Sequence, residues 1–167
     1  MTIIRDRIKE LRRVRAGDLL PNPKNWRTHP KPQRDALAGI LAEVGYADAL
    51  LARETAAGLV LIDGHLRVET TPDQEVPVLV LDVTEAEADL LLASLDPLAA
   101  MAGAAADKLE ALLAEVGTGS DALQAMLGKL AEDTGITPPA FQPVGIDEQG
   151  RLDQKAKVRC PECGYEF

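Results

Sequence analysis

The spacing of apolar residues predicts helices in both halves of the chain. Residues 33–44 place their apolar side chains on one face, and Gly45 is suited to end this helix. Thr84 and Glu87 have the spacing of a capping box, so a further helix is predicted to follow Thr84. Two more helices are predicted within residues 97–133, packed on each other and on a sheet. A helical hairpin that binds a partner is the alternative for this last pair.

Short apolar runs predict strands between these helices. Residues 13–20 fit a short strand and turn, and residues 49–53 and 59–62 fit two strands around a turn that contains Gly58. Residues 76–83 are almost all aliphatic or β-branched, which is typical of a buried strand. The chain is therefore predicted to combine helices with several short strands.

Changes in composition divide the chain into five segments. At 167 residues, the chain is long enough for one domain of ordinary size with an appendage. The residues after 136 are rich in proline and polar side chains, which is typical of a linker. The expected segments are a basic arm, a folded domain, a helical extension, a linker and a cysteine-containing tail, at residues 1–13, 14–100, 101–135, 136–157 and 158–167.

Charge is distributed unevenly along the chain. Residues 1–34 contain ten Lys or Arg and three acidic residues, whereas residues 35–167 contain eight and twenty-four. A basic arm on an acidic body is compatible with DNA phosphate contacts confined to the arm. The alternative is that these bases form the solvated face of a short helix above Ile4, Ile8 and Leu11. No apolar run approaches the roughly 20 residues that span a bilayer, so no membrane contact and a cytoplasmic location are expected.

The segment LIDGHLR connects a predicted strand to a short helix that is expected to start at His65 and end before Pro72. Such a turn presents backbone N–H groups without partners, and Gly64 would let an anion approach the backbone. Arg67 can contact the same phosphate with two donors. Asp63 could orient His65, hold magnesium or cap the helix, and His65 could act as a ligand or general base. The alternative is a capped helix start with a surface arginine.

The order of these motifs resembles the N-terminal domain of the ParB and sulfiredoxin superfamily, particularly the stand-alone ParB-like proteins of phages and mobile elements. The similar segments are LLPNPKNWR, LIDGHLR and EVPVLVLDVTEAEADLL, and the resemblance covers roughly residues 14–100. It implies an α+β fold with a small mixed sheet. It also implies that a nucleoside triphosphate with magnesium lies against the LIDGHLR turn and the NPKNWR loop.

The resemblance assigns roles to individual positions. Gly64 and Arg67 match the glycine and final arginine shared by the ParB and sulfiredoxin motifs, which implies phosphate contacts. His65 stands where sulfiredoxin has its reactive cysteine, so sulfiredoxin chemistry is not expected. Leu66 replaces a second basic residue, which removes one phosphate contact. Trp26 either stacks on a base or fills the core. The predicted nucleotide site comprises Asn22, Asn25, Arg27, Gly64, His65, Leu66 and Arg67, and the candidate catalytic residues are Asp63 and His65.

The C-terminal segment contains a zinc-knuckle-like CPECG motif, with Cys160 and Cys163 as candidate metal ligands. Two thiolates are half of the four ligands that structural zinc takes. The other two ligands are expected from a second copy of the chain, which predicts a homodimer, or from His29 and His65. The alternative is that the motif binds no metal.

Three functions are compatible with these observations. The first is a ParB-like adaptor that binds CTP or ATP and acts on phage or plasmid DNA through partners and its basic arm. The second is a small nucleotide-dependent enzyme, such as a kinase, a CTPase or a nuclease-like protein. The third is a dimeric scaffold without nucleotide. The helices after residue 106 contain only Lys108 and Lys129 as bases, so a DNA recognition helix is not expected there.

Overall fold

A four-stranded mixed sheet lies at the centre of the fold. The computed structural model describes residues 3–136, so Cys160 and Cys163 lie outside the described residues. The strands are β1 (Ile8–Arg15), β2 (Leu50–Thr55), β3 (Gly58–Asp63) and β4 (Glu75–Leu81). Their order in the sheet is β1-β4-β2-β3. β4 pairs antiparallel with β1 and parallel with β2, whereas β2 and β3 form an antiparallel hairpin.

Five α-helices accompany the sheet in the described part of the chain. They are α1 (Lys31–Glu43), α2 (His65–Thr70), α3 (Glu85–Ala100), α4 (Ala106–Glu115) and α5 (Asp121–Asp133). α1 ends just before Gly45, and Thr84 and Glu87 form the predicted capping box. The predicted α+β fold with a small mixed sheet is confirmed. No helix within residues 3–136 is both long and apolar enough to cross a membrane.

The inner strands β2 and β4 supply most of the core because both faces of the sheet are covered. On one face, Val76, Val78 and Val80 are fully buried together with Leu50 of β2. The alternate residues of β4 point to the opposite face, where Leu81 packs in a cluster with α3. This alternation follows from the two-residue repeat of a strand. The sheet is therefore apolar on both sides in its middle.

The N-terminal basic segment is a strand rather than a separate arm or a helix. β1 begins at Ile8, so much of residues 1–13 belongs to the sheet, and the alternative of a short helix is wrong. Alternating charged residues made this edge strand look like a solvated segment. Ion pairs with acidic side chains engage most of its bases, namely Arg5, Arg7, Lys9, Arg12 and Arg15. The segment therefore presents less free positive charge than its composition indicates.

The two C-terminal helices do not pack as predicted. α5 packs on α1, where a Cβ at Gly39 would clash with the Ser120 side chain that precedes α5. Leu123 is buried in this contact region, whereas α4 contains no buried residue. The expectation that both helices pack on each other and on the sheet is therefore wrong. Helical periodicity identified their apolar faces but contained no information about the surface that each face contacts.

Gly64 forms the connection between β3 and α2. Its φ of 97° lies in the left-handed region, which is unfavourable for residues with a Cβ atom. A Cβ built at this position would lie 2.6 Å from Leu50 Cγ, well inside van der Waals contact. Both the backbone conformation and the packing against β2 therefore require glycine here.

We expect Gly64→Ala to lower the free energy of unfolding by about 2–5 kcal/mol. The change adds a backbone cost of about 1–2 kcal/mol and an overpacking cost of about 1–3 kcal/mol. Gly45→Ala is the matched control, because Gly45 has a φ of +83° but no atom of the described residues lies within 4 Å of the position that its Cβ would occupy. Gly45→Ala should lower the free energy of unfolding only by the backbone cost. Denaturant unfolding measures both variants, and an equal loss in the two would contradict the packing argument.

Arg7 connects the N-terminal segment to the start of α3. Its guanidinium donates hydrogen bonds of 2.8 and 2.9 Å to the two carboxylate oxygens of Glu87. The same carboxylate accepts a hydrogen bond of 2.8 Å from the backbone N–H of Thr84. These contacts, of which the hydrogen bonds from Arg7 have the largest effect, lower the pKa of Glu87 from 4.5 to about 2. Ionised Glu87 therefore stabilises the folded state.

We expect the stabilisation by Glu87 to be complete above about pH 4.5 and to disappear as the pH falls through about 2, because its folded-state pKa is below its ordinary value. Glu87→Gln should reduce the free energy of unfolding at pH 7 and flatten its dependence on pH below 4.5. Arg7→Met keeps the carboxylate but removes its main partner, so the acid-dependent loss should be smaller and should be complete at a higher pH. Denaturant unfolding between pH 2 and 7 measures this. An unchanged pH dependence in both variants would contradict it.

Candidate functional site

A cavity of about 210 Å³ lies where the LIDGHLR turn meets the NPKNWR loop, α1 and α3. All of the predicted site residues within the described part of the chain line this cavity, except Asn22. Its polar wall includes Asn25, Arg27, His29, Gln33, Asp63, His65, Arg67 and Asp96, and its apolar wall includes Leu37, Ile62, Leu66, Leu91, Leu92 and Leu95. The fold therefore brings the two motifs together, although about 40 residues separate them in the sequence.

Asn22 holds the loop in place rather than facing the cavity. Its backbone N–H donates to His65 Nε2 at 3.3 Å, and its side-chain amide donates to the Leu61 carbonyl at 3.1 Å. Its side-chain oxygen accepts a hydrogen bond of 2.9 Å from the Lys24 N–H. These bonds fix the start of the loop against β3 and the turn. Asn22 thus has a structural explanation that is independent of any ligand.

The helix start at the turn leaves backbone donors available. The first backbone hydrogen bond of α2 runs from the Val68 N–H to the Gly64 carbonyl, at 3.1 Å. The N–H groups of residues 65–67 precede this bond and have no acceptor within the helix. No side chain of the described residues caps α2, whose N-cap is Gly64, so the alternative that Asp63 caps the helix is wrong. Asp63 instead ends β3 and lines the cavity.

His65 is held in a defined protonation state. The residue is only 8% exposed, and burial, partly opposed by the nearby charge of Asp63, lowers its pKa from 6.5. The imidazole is therefore neutral at pH 7. Because Nε2 accepts from the Asn22 N–H, the ring proton resides on Nδ1. The nitrogen that could accept a proton is thus already engaged by the loop.

Arg67 is only partly satisfied by its protein contacts. Its Nη2 donates to Asp48 Oδ2 at 2.8 Å. Its Nη1 is buried and has no hydrogen-bond partner among residues 3–136. A buried guanidinium nitrogen without a partner is costly, so Nη1 is a donor available to an additional acceptor.

Arg27 has a similar arrangement on the other side of the cavity. Its Nη2 lies 2.5 Å from Asp96 Oδ2, while its buried Nε has no partner in the described part of the chain. The guanidinium carbon lies 4.9 Å from the centroid of the Trp26 ring, in cation–π contact. Trp26 itself is 56% exposed, so the alternative that it fills the core is wrong.

His29 contributes a third nitrogen without a partner. Its Nε2 is buried and unpaired within the described residues, whereas its Nδ1 lies 3.3 Å from Gln33 Oε1. Both His29 and His65 line the cavity, where a zinc ion bound by them would occupy the same space as a phosphate. Among residues 3–136, no group of three or more His, Cys, Asp or Glu side chains is arranged to hold a metal ion.

Sequence reasoning missed two acidic residues of the site. Asp96 lines the cavity from α3 and pairs with Arg27, and Asp48 pairs with Arg67 from the loop between α1 and β2. Neither residue lies in a recognisable motif. Each pairing connects positions that are distant in the sequence, and no local spacing indicates it.

Comparisons with known proteins support the fold. No protein-family model and no curated protein matches the sequence. Among solved structures, the chain is similar to the C-terminally truncated chromosome-partitioning protein ParB from Caulobacter crescentus, complexed with CTP-gamma-S. The TM-score is 0.51 at 18% identity, and the match covers 62% of this chain and 61% of that ParB chain. At this identity the likeness concerns the fold alone. The chain therefore has a ParB-like fold.

Proposed function

We propose that this chain is a ParB-like adaptor whose cavity binds the phosphates of a nucleoside triphosphate. The observation that carries this proposal is a set of three buried nitrogen atoms on residues lining one cavity that have no partner among residues 3–136: Arg27 Nε, His29 Nε2 and Arg67 Nη1. Guanidinium groups favour the oxygens of phosphates as acceptors, because their planar donors match phosphate geometry. One multiply charged phosphate chain could accept hydrogen bonds from both guanidinium nitrogens, and from His29 Nε2 where that nitrogen carries a proton.

The cavity is matched to part of a nucleotide. At about 210 Å³, it is smaller than the roughly 300–1,000 Å³ of typical ligand pockets. We propose that it takes the phosphates and that the base lies outside, against the exposed ring of Trp26. The similar ParB structure contains CTP-gamma-S, so CTP is the first nucleotide to test, followed by ATP.

Magnesium would have few protein ligands in this site. Of the two aspartates that line the cavity, Asp96 is paired with Arg27, which leaves Asp63. Mg²⁺ is typically held by one or two carboxylates together with substrate phosphates. Asp63 is therefore the residue that would hold the ion beside a bound triphosphate, and the ion would neutralise part of the phosphate charge.

Catalysis by Asp63 and His65 is less well supported than binding. A general base must present a free acceptor, but His65 Nε2 accepts a hydrogen bond from the Asn22 N–H. We propose that His65 connects the loop to the turn and that its Nδ1–H donates toward the ligand. The protein would then bind nucleotide without His65-dependent turnover.

We expect Arg67→Ala to weaken nucleotide binding about ten- to a hundredfold, because a charge-assisted hydrogen bond contributes roughly 1.5–3 kcal/mol. Since Leu66 replaces a second base, the wild-type affinity should be micromolar or weaker, about −8 kcal/mol or less favourable. Calorimetry with CTP and ATP in the presence of magnesium measures both. Arg15→Ala is the control, because Arg15 lies on β1 and pairs with Asp73. Binding that survives Arg67→Ala, or no binding at millimolar nucleotide, would favour the nucleotide-free scaffold.

The proposal extends to DNA and to a second copy of the chain. We propose that the protein acts on phage or plasmid DNA through partners and that β1 supplies weak phosphate contacts. We also propose a homodimer that shares zinc through the thiolates of Cys160 and Cys163. Arg13 is the base of residues 5–15 for which the described residues provide no ion pair, so it is the best candidate for a DNA contact.

We expect Arg13→Ala to weaken duplex DNA binding at low salt and to reduce the slope of log affinity against log salt by about one, because one phosphate contact is lost. Arg15→Ala removes an equal charge that Asp73 already neutralises, so it should change the slope less. Fluorescence anisotropy over a salt series measures both slopes. Equal effects of the two variants would contradict a specific contact by Arg13.

A further inference from the structure

We propose that Asp48 and Asp96 are built-in competitors of the ligand, which occupy the two arginines until a multiply charged phosphate displaces them. This inference rests on the proposed nucleotide function and concerns the regulation and selectivity of the same site. Its basis is that each arginine of the cavity makes one carboxylate contact and retains one buried nitrogen without a partner among residues 3–136.

The pair of Asp48 and Arg67 is asymmetric in its exposure. The Asp48 side chain is 71% exposed, whereas that of Arg67 is 24% exposed. Asp48 lies in the loop between α1 and β2, and its other carboxylate oxygen accepts a hydrogen bond of 2.7 Å from the Ala49 N–H. The aspartate can therefore turn into water without uncovering apolar surface, while Arg67 stays in the cavity wall. The contact is suited to exchange one anion for another.

The pair of Asp96 and Arg27 is held more firmly. Its side chains are 44% and 35% exposed, and Trp26 also restrains the guanidinium. Displacement of Asp96 leaves the carboxylate on α3, next to the cavity, where it repels an arriving anion. We therefore expect Asp96 to oppose binding more strongly than Asp48.

This arrangement selects ligands by charge. A phosphodiester of nucleic acid carries one negative charge for each phosphate, as a carboxylate does, and gains little by replacing an aspartate. A terminal phosphate carries between one and two negative charges near pH 7, so it competes better for the same guanidinium. The cavity should thus accept a nucleoside triphosphate and reject the backbone of DNA.

The test is calorimetry with two probes, inorganic triphosphate and CTP, on Asp48→Asn and Asp96→Asn. Each variant should bind both probes about two- to fivefold more tightly than the wild type, with Asp96→Asn giving the larger gain. Asp133→Asn is the matched control, because it changes the net charge equally but breaks the pair with Lys129 on α5, away from the cavity. Melting temperatures without ligand show whether the variants fold.

Arg67→Ala combined with Asp48→Asn identifies the mechanism, since the gain from Asp48→Asn should vanish when Arg67 is absent. Wild-type binding that neither aspartate variant improves would overturn this inference and leave the nucleotide function intact. A gain from Asp133→Asn equal to the others would also overturn it, because net charge would then explain the effect. If no variant and no wild-type protein binds triphosphate at millimolar concentration, the nucleotide function fails as well.

Discussion

The left-handed backbone of Gly64, packed against Leu50, is the constraint on which the site depends. With φ at 97° and Leu50 Cγ 2.6 Å from the position of a Cβ, this residue lets β3 turn directly into α2. The turn places Asp63 at the end of a strand and Arg67 in the first turn of the helix. Close approach of an anion is one reason for a glycine here, but Gly64 also has a reason within the protein itself. The geometry of the candidate site is a consequence of that packing.

Polar contacts between residues distant in the sequence fix the other side chains around the cavity. Asn22 connects the NPKNWR loop to His65, and Asp48 and Asp96 orient the two arginines. Each of these contacts joins elements that are separate in the sequence. The geometry of the cavity therefore depends on the whole sheet and its flanking helices, so a change in the core can alter the site without touching a residue that lines it.

Local signals predicted much of the fold. The capping box at Thr84, the end of α1 before Gly45 and the hairpin around Gly58 all depend on interactions within a few residues, and the structure confirms them. β1 was missed over its first residues because an exposed edge strand with alternating charges lacks a buried apolar face. The motif residues of the site were predicted, but Asp48 was not, since exposed acids have no local signature of their distant partners.

The near-neutral charge of the cavity limits how the proposed binding of phosphate could work. Its two arginines are matched by Asp48 and Asp96, Asp63 adds a negative charge, and the chain as a whole carries a formal net charge of −9. Long-range attraction therefore contributes little to the capture of an anion. The proposed binding would have to come from short hydrogen bonds at the guanidinium groups, which depend steeply on distance and angle. In the proposed site, the positions of two guanidinium groups would therefore take the place of the strong field of a basic groove, and the charge of the ligand would decide whether it displaces their aspartate partners.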